Sequence, residues 1–230
     1  SFGGNAMMSL LGASLHLEGA TKNKKLTYLI GLRQKTNQYL LQAQPTKGVY
    51  NPSFTDIQAN INYRPNDKWE VDVLANYARN RFSFYPEKSV STFGLINQAF
   101  KLETYFQGGE IDQFDTRFGG ISTTYKANKK LQLKLLASGF QTNEKETYDI
   151  SGEYLLGEIE TDLGKDNFGQ TKTYLGTGII HNYARNYLKV TMGTLSHKGF
   201  YDANKHFISW GVDGSYLAIN DQLREWERRD

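Results

Sequence analysis

Strict alternation of apolar and polar residues is the feature that most constrains the fold of this chain. It is clearest in three segments, at 57–63, 69–77 and 208–216, where every second residue is apolar and most of the others are polar. A side-chain period of two residues is the pattern of a β-strand with one apolar and one polar face. Weaker runs at 26–32 and 131–137 follow the same rule. We therefore predict an all-β protein.

Short polar turns separate these strands and resemble one another in sequence. Similar segments begin at Tyr63, Tyr125 and Tyr183, roughly every sixty residues, and place Asn with Lys or Arg between two alternating runs. Because tight turns join antiparallel neighbours, we predict an antiparallel sheet with short turns at one end. The predicted turns are at 21–24, 65–68, 127–129, 184–186 and 220–222.

Much longer connections are predicted at the opposite end of the sheet. They span residues 41–53, 82–113, 142–171 and 197–206, with extra hairpins around 98–106 and 153–160. Short turns at one end and long loops at the other are typical of transmembrane β-barrels, in which the turns are periplasmic and the loops extracellular. We count ten or eleven long strands.

A soluble β-sandwich would show the same alternation, so strand length must separate the two folds. The segments 26–39 and 69–84 each continue for about fourteen to sixteen residues, whereas strands of soluble proteins usually have about five or six. Long strands favour a tilted transmembrane β-barrel. The soluble alternative is an all-β carbohydrate-binding module.

Composition permits a membrane barrel. The mean hydropathy of −0.58 is low, but only the lipid-facing half of each strand must be apolar. Aromatic residues make up 13% of the chain, and many lie where strands meet turns, as interfacial belts require. No apolar run reaches about 18 residues, so a helical membrane span is excluded.

The charged residues give no indication of a nucleic-acid partner. The formal charge of +3 arises from 27 basic and 24 acidic residues mixed along the chain, with Lys concentrated in the turns. We interpret these lysines as solvated turn residues. The chain has no cysteine, so it has neither disulfides nor a Cys-ligated zinc site, which is consistent with an outer-membrane or extracellular location.

No catalytic or metal-binding motif is present in the sequence. The four histidines have no ligand spacing typical of zinc, and no nucleophile elbow or phosphate-binding glycine loop occurs. Ser196 and His197 are adjacent and would point to opposite faces of a strand, which argues against a Ser–His pair. We expect no cofactor, no metal and no enzymatic activity.

Charges on the polar face indicate a water-filled or plugged lumen. The residues predicted to face it are Arg33, Asp56, Arg64, Glu70, Asp72, Arg117 and Asp213. A solvent-exposed face of an ordinary antiparallel sheet is the alternative.

Aromatic residues in the predicted loops are candidate ligand contacts, because they supply large contact areas at low entropic cost. The preferred pairs are Tyr105 with Phe106, next to two glycines, and Phe200 with Tyr201. Arg79 and Arg81 share one strand face above an apolar segment. They would bind an anionic ligand or a lipopolysaccharide phosphate, or act as rim residues whose stems cover apolar surface.

The segments 10–19, 50–58 and 62–69 resemble the start of the barrel in TonB-dependent outer-membrane receptors, especially those of Bacteroidetes. The resemblance implies import of a ligand across the bacterial outer membrane, with capture by extracellular loops and passage through a plugged barrel. It also implies several partners: a plug domain, a TonB-type energy-coupling protein, a surface lipoprotein and outer-membrane lipids.

The chain departs from that family in the number of strands, because barrels of the family have about twenty-two and we count ten or eleven here. We find neither a plug nor an energy-coupling box, and residues 225–230 look like the start of a further strand. We therefore expect residues 1–230 to form an N-terminal part of a larger barrel. The alternative is a small self-contained barrel that acts as a pore or an anchor.

Overall fold

The computed structural model describes residues 2–41, 47–95, 97–203 and 205–230. Nearly all of this part of the chain is β-strand, and the single helix in it has four residues. The elements in chain order are β1 Phe2–Ser9, β2 Gly12–Ala20, β3 Leu26–Lys35, α1 Gln38–Leu41, β4 Gly48–Tyr50, β5 Ser53–Asn66, β6 Trp69–Pro86, β7 Ser89–Leu95, β8 Gln98–Lys126, β9 Leu131–Ile159, β10 Thr171–Asp202, β11 Phe207–Gln222 and β12 Glu225–Arg229.

The twelve strands form one antiparallel sheet, which confirms the predicted fold class at that level. The main path of the sheet is β1-β2-β3-β5-β6-β8-β9-β10-β11, so consecutive long strands are neighbours. Three short strands lie off this path: β4 pairs with β6, β7 with β8 and β12 with β10. The described sheet is open, with β1 and β11 at its two ends.

The pairing register places the predicted apolar residues on one face. Leu15, Leu32, Ile57 and Tyr77 are successive partners across β2, β3, β5 and β6. A second row continues through β8, β9 and β10 and consists of Tyr28, Ile61, Val73, Ile121, Ala137 and Leu195. We call this side of the sheet the apolar face and the opposite side the polar face. The predicted alternation is therefore confirmed in the segments for which it is predicted.

The sheet is a single layer. Ala184 is the only buried hydrophobic residue among the described residues, and no large side chain there is fully buried. Ile61, Ile121 and Leu195 on the apolar face are 37%, 46% and 57% exposed. A β-sandwich of this size would bury such residues against a second sheet. No second layer covers the apolar face in the described part of the chain.

Three predicted turns are confirmed: those predicted at 21–24, 65–68 and 127–129 are found at 21–25, 66–68 and 127–130. The turn at 66–68 joins β5 to β6, and Asn66 Oδ1 accepts hydrogen bonds from the backbone N–H groups of Lys68 and Trp69, at 2.9 and 3.1 Å. Asn128 makes the same two bonds with Lys130 and Leu131, at 2.8 and 3.0 Å. Asn side chains close such turns by replacing a backbone acceptor.

The turn predicted at 184–186 is wrong, because these residues lie inside the 32-residue strand β10. Ala184 pairs with Tyr148 of β9 on one side and with Glu225 of β12 on the other, and it is fully buried. Since both edges of the backbone are paired, the polar Arg185 and Asn186 do not end the strand. The turn predicted at 220–222 is also wrong, since β11 ends at Gln222 and β12 continues along β10.

Most of the predicted long loops are strand. Residues 98–113 belong to β8 and residues 142–159 belong to β9, where the two strands pair continuously. The hairpin predicted at 153–160 is therefore wrong. Of the hairpin predicted at 98–106, residues 98–104 do belong to a hairpin, which β8 forms with β7. Strand β3 is shorter than predicted and ends at Lys35. Of the connection predicted at 41–53, residues 42–46 lie outside the described residues.

The segment 197–206 was predicted to lie at the end of the sheet opposite the short turns, and this is wrong. Strand β10 continues to Asp202, whose backbone N–H donates to Lys130 O at 2.8 Å. The connection from β10 to β11 therefore lies beside the turn that joins β8 to β9. Because the chain does not turn at 184–186, residues 187–202 run towards the short-turn end of the sheet and not away from it, as the prediction had implied.

Candidate functional site

The central feature of the molecule is a continuous band of apolar side chains across one face of the sheet. On β9 it extends from Leu131 to Gly139, which is about 26 Å along the strand at roughly 3.3 Å per residue. A tilt of about 40° would reduce this to about 20 Å, close to the thickness of the apolar belt of membrane barrels. We call it the apolar band; its larger members are Leu15, Leu17, Ile30, Leu32, Ile57, Ile61, Val71, Val73, Ile121, Leu133, Leu135, Leu195 and Val212.

Aromatic side chains line the edge of the apolar band beside the short turns. Trp69 lies opposite Tyr125, and their ring centroids are 4.5 Å apart. Trp210 lies opposite Gly199, where a Cβ atom would meet the indole ring at 2.0 Å, so the glycine makes room for the ring. We call this set the aromatic belt; it contains Tyr63, Trp69, Tyr125, Tyr201 and Trp210.

Arginines lie on the apolar face directly beyond the other edge of the band. Arg79 follows Tyr77 on this face of β6, and its Nε lies 2.6 Å from Asp115 Oδ1, while Arg81 continues the same side of the strand. Arg117 lies opposite Tyr77 and therefore shares this face. The prediction that Arg117 lies on the polar face is wrong. The polar face of β8 contains Thr124, the partner of Glu70, and Arg117 is an odd number of residues away from it, so it lies on the other face.

The polar face brings together the other residues predicted to line a lumen. Arg33 donates from Nε to Asp56 Oδ2 at 2.8 Å across β3 and β5. Nearer the turns, Arg64 lies 2.6 Å from Glu70 Oε1. Asn62 links this carboxylate to the next one, because its Nδ2 lies 3.1 Å from Glu70 Oε1 and 2.5 Å from Asp72 Oδ1. Asp213 is exposed on β11 opposite Ser196.

Tyr105 is held within its own hairpin. Lys88 Nζ lies 2.7 Å from the Tyr105 hydroxyl and 2.8 Å from Glu103 Oε1. This lysine lowers the pKa of the Glu103 carboxyl. The contact ties β7 to β8, so the Tyr105 hydroxyl already has a structural partner.

Phe106 lies on the opposite face of β8 from Tyr105 and packs on its neighbour strand. A Cβ atom added at Gly152 would lie 3.1 Å from the Phe106 ring and 3.5 Å from Ile180. Gly108, two residues further along, has a φ of 89°, and a Cβ there would meet Asp149 O at 1.8 Å. The two adjacent glycines of the sequence therefore serve close packing of strands in this region.

Phe200 and Tyr201 lie far from Tyr105 and Phe106, at the short-turn end of β10. They are paired with Gln132 and Leu131 near the turn between β8 and β9. Because they are successive residues of a strand, Phe200 points to the polar face and Tyr201 to the apolar face. The structure does not bring the two predicted ligand-binding pairs together.

An acidic surface on the polar face of β8 and β9 was missed by the sequence analysis. Glu110 lies opposite Tyr148, and Asp112 lies opposite Glu146. Partial burial raises the pKa of Glu110 to about 7, and repulsion from Asp112 and Glu146 acts in the same direction. The sequence contains no usable signal for this surface, because the segment resembles a loop and the pairing that collects the carboxylates is long-range.

A second cluster lies on the apolar face of the long strands, beyond the band. His181 Nε2 is 2.7 Å from Asp149 Oδ1, and Arg185 Nη2 is 3.4 Å from Asp149 Oδ2. Tyr183 stacks on Trp226 of β12 with ring centroids 5.1 Å apart. Nothing in the sequence indicates this cluster, because Asp149 and Trp226 approach His181 only through the sheet register.

The described residues contain no group of three or more His, Cys, Asp or Glu side chains arranged to hold a metal ion. No helix among them is long and apolar enough to cross a membrane. Comparison with protein families, with curated proteins and with solved structures finds no match for this chain.

Proposed function

We propose that this chain forms part of the wall of a β-barrel in a bacterial outer membrane. One observation carries the proposal: the apolar band crosses the whole sheet, yet its side chains have no protein layer packed on them in the described part of the chain. Large contiguous apolar surfaces are not left in water, because their exposure is unfavourable. The height of the band is close to the thickness of the hydrocarbon layer that membrane barrels span, so we infer that lipid covers it.

Three further features support a membrane location. The aromatic belt lies where the band meets the turns, as interfacial Trp and Tyr residues do. Arg79, Arg81 and Arg117 lie beyond the opposite edge, where long cationic side chains reach headgroups. The turns are short at one end, while β8, β9 and β10 continue for more than ten residues beyond the band at the other. By the topology of such barrels, the short turns are periplasmic and the extended strands extracellular.

The importer function extends this proposal and rests on the resemblance to TonB-dependent receptors. The open ends of the sheet, β1 and β11, favour a wall completed by further strands, since an unpaired edge in lipid leaves backbone groups without partners. The charged network of Asn62, Arg64, Glu70 and Asp72 would then face a plug domain. A TonB-type coupling protein would displace that plug, and a surface lipoprotein would assist ligand capture at the extended strands.

The absence of cysteine makes the membrane proposal directly testable. Single cysteines introduced one at a time at positions 57–62 would be labelled with an environment-sensitive fluorophore after reconstitution in phosphatidylcholine vesicles. We expect blue-shifted emission at 57, 59 and 61, and quenching by a water-soluble agent at 58, 60 and 62. Equal water accessibility at all six positions would reject a membrane wall.

A second experiment separates the importer wall from a small self-contained barrel. A closed barrel of this chain would pair β1 with β11. A cysteine at Asn5 would be combined in turn with cysteines along β11 and oxidised in cells that produce the native protein. We expect no disulfide at any position, because further strands would separate β1 from β11. An efficient cross-link at one register would favour the self-contained pore or anchor.

A further inference from the structure

Positive charge is concentrated at one end of the sheet. Four connections lie at this end, and with the strand residues that flank them they comprise residues 21–25, 64–68, 126–130 and 202–206. These residues include nine Lys or Arg and two Asp. The whole chain has 27 basic and 24 acidic residues. Outside these four ranges there are 18 basic and 22 acidic residues, so that part of the chain has a net negative charge. The net positive charge of the protein therefore comes entirely from these connections.

Backbone hydrogen bonds join these connections into a continuous row. The N–H of Arg64 donates to Lys25 O at 2.7 Å, and the N–H of Lys126 donates to Lys68 O at 2.8 Å. The N–H of Asp202 donates to Lys130 O at 2.8 Å. Each connection thus contacts the next one, and we call the row the turn rim. Its basic residues are Lys22, Lys24, Lys25, Arg64, Lys68, Lys126, Lys129, Lys130 and Lys205.

Most of the basic residues of the turn rim form no ion pair with the described residues. In the described ranges, Arg64 is the only one of the nine that forms an ion pair. Lys25 donates to Pro65 O at 2.6 Å. Asn23 accepts a hydrogen bond from the N–H of Lys25, as Asn66 and Asn128 do in their turns. The side chains of Lys22, Lys24, Lys68, Lys129 and Lys130 are exposed.

The turn rim lies one residue or two beyond the aromatic belt. Lys68 precedes Trp69, Lys126 follows Tyr125, and both rings belong to the edge of the apolar band. Trp and Tyr side chains mark the level of lipid headgroups in membrane proteins. Lysines at this position therefore reach the depth of the headgroup phosphates.

We propose that the turn rim binds anionic phospholipid headgroups of the leaflet on its side of the membrane. The inference rests on the proposed membrane wall and adds a lipid class to it. Basic residues beside a membrane surface attract acidic lipids, and each Lys or Arg strengthens the association several-fold. Phosphatidylglycerol, with a net negative headgroup, suits the rim better than zwitterionic phosphatidylcholine, and the preference should weaken as salt screens the charges.

The test compares lipid retention by the full chain refolded in neutral detergent micelles. Native mass spectrometry would count phosphatidylglycerol and phosphatidylcholine molecules bound at equal added ratios. The rim variant carries Lys22→Gln, Lys24→Gln, Lys129→Gln and Lys130→Gln, all at exposed side chains without ion pairs in the described structure. The matched control carries Lys35→Gln, Lys47→Gln, Lys145→Gln and Lys172→Gln, which removes the same charge elsewhere. A third variant replaces the four rim lysines with arginine.

We expect the parent, the control and the arginine variant to retain phosphatidylglycerol at least about fivefold over phosphatidylcholine, and the rim variant to lose this preference. Equal retention of both lipids by the parent, or equal loss in the rim and control variants, would overturn the inference. If cysteines at positions 57–62 show no alternation of environment, the membrane wall fails and the lipid inference fails with it. If the parent refolds with the expected alternation of cysteine environments but shows no lipid preference, only the lipid inference fails.

Discussion

Leu32 of β3 lies directly opposite Ile57 of β5, while the next residue of β3, Arg33, donates to Asp56 on the other side of the same sheet. These two neighbouring residue pairs lie on opposite faces of a single sheet: the Leu32–Ile57 pair is on the apolar face and the Arg33–Asp56 pair is on the polar face. In the proposed membrane wall, the face of Leu32 and Ile57 would meet lipid and the face of Arg33 and Asp56 would meet water. Substitutions at adjacent residues should report this difference.

The first prediction compares Ile30→Arg with Leu29→Arg. Both residues are apolar and adjacent on β3, but Ile30 belongs to the apolar band and Leu29, 42% exposed, lies on the polar face. We expect Ile30→Arg to lower the free energy of unfolding by about 2–4 kcal/mol, the cost of an arginine near the bilayer midplane. Leu29→Arg should cost less than about 1 kcal/mol, because its side chain meets water. Urea unfolding of the protein in phosphatidylcholine vesicles measures both, and equal losses would contradict the assignment of faces.

Local sequence patterns are sufficient to predict the strands that form the band and three of the turns. Residues such as Ile57 and Ile61 alternate with Gln58 and Asn60, and that signal requires no knowledge of neighbouring strands. The turns at Asn66 and Asn128 are equally local, since one side chain satisfies the next two amides. In the segments 57–63, 69–77 and 131–137 the sequence also indicates which residues share a face, but it fails for Arg117.

The long strands beyond the band could not be predicted in the same way. Residues 98–117 and 141–159 have polar residues on both faces, so they resemble loops although their backbones pair along their whole length. The buried Ala184 and its neighbours look like a turn until β12 is placed beside them. In each case pairing between distant segments overrides the local pattern, which is the usual reason that such predictions fail.

The second prediction concerns pH and Glu110, which lies outside the apolar band. Its pKa of about 7 in the folded protein exceeds the ordinary value of 4.5, so the folded state binds the extra proton. Its contribution to stability should be fully present below about pH 4.5 and should be lost as pH rises towards 7. Because the carboxyl is partly exposed, we expect the loss to be no more than roughly 1 kcal/mol.

Glu110→Gln should remove this dependence and stabilise the protein above pH 7, where the parent carries the repulsion from Asp112 and Glu146. Unfolding midpoints measured from pH 4 to pH 8 test the difference between the two proteins. Glu158→Gln provides a control, because this carboxylate lies near the far end of β9, away from the acidic surface. Parallel pH profiles for the parent and Glu110→Gln would contradict the prediction.

The third prediction concerns the turn residue Asn128. Asn128→Ala removes the acceptor for the amides of Lys130 and Leu131, and we expect a loss of about 1 kcal/mol in unfolding free energy. Asn128→Asp should retain the stability, since a carboxylate accepts the same bonds. The exposed Lys129→Ala serves as the control in the same turn. Similar losses for Asn128→Ala and Lys129→Ala would show that the side-chain bonds contribute nothing.

The fourth prediction concerns the ion pair between Arg33 and Asp56. The Arg33 side chain is 51% exposed and that of Asp56 is 19% exposed, so water screens the interaction. A double-mutant cycle with Arg33→Ala and Asp56→Ala should give a coupling energy below about 1 kcal/mol, and added salt should reduce it. A coupling of several kcal/mol that is insensitive to salt would place the pair in a water-excluded environment. That result would contradict a water-filled polar face.

The fifth prediction compares two glycines of β9 on opposite faces. No atom lies within 4 Å of a Cβ added at Gly139 on the apolar face, whereas a Cβ at Gly152 lies 3.1 Å from the Phe106 ring. We expect Gly139→Val to be neutral or stabilising in vesicles, because the added methyl groups would contact lipid. Gly152→Val should cost about 1–3 kcal/mol by overpacking Phe106 and Ile180. Adding Phe106→Ala to Gly152→Val should restore part of that loss; if it restores none, the Phe106 ring does not pack on Gly152 and is free to contact a ligand.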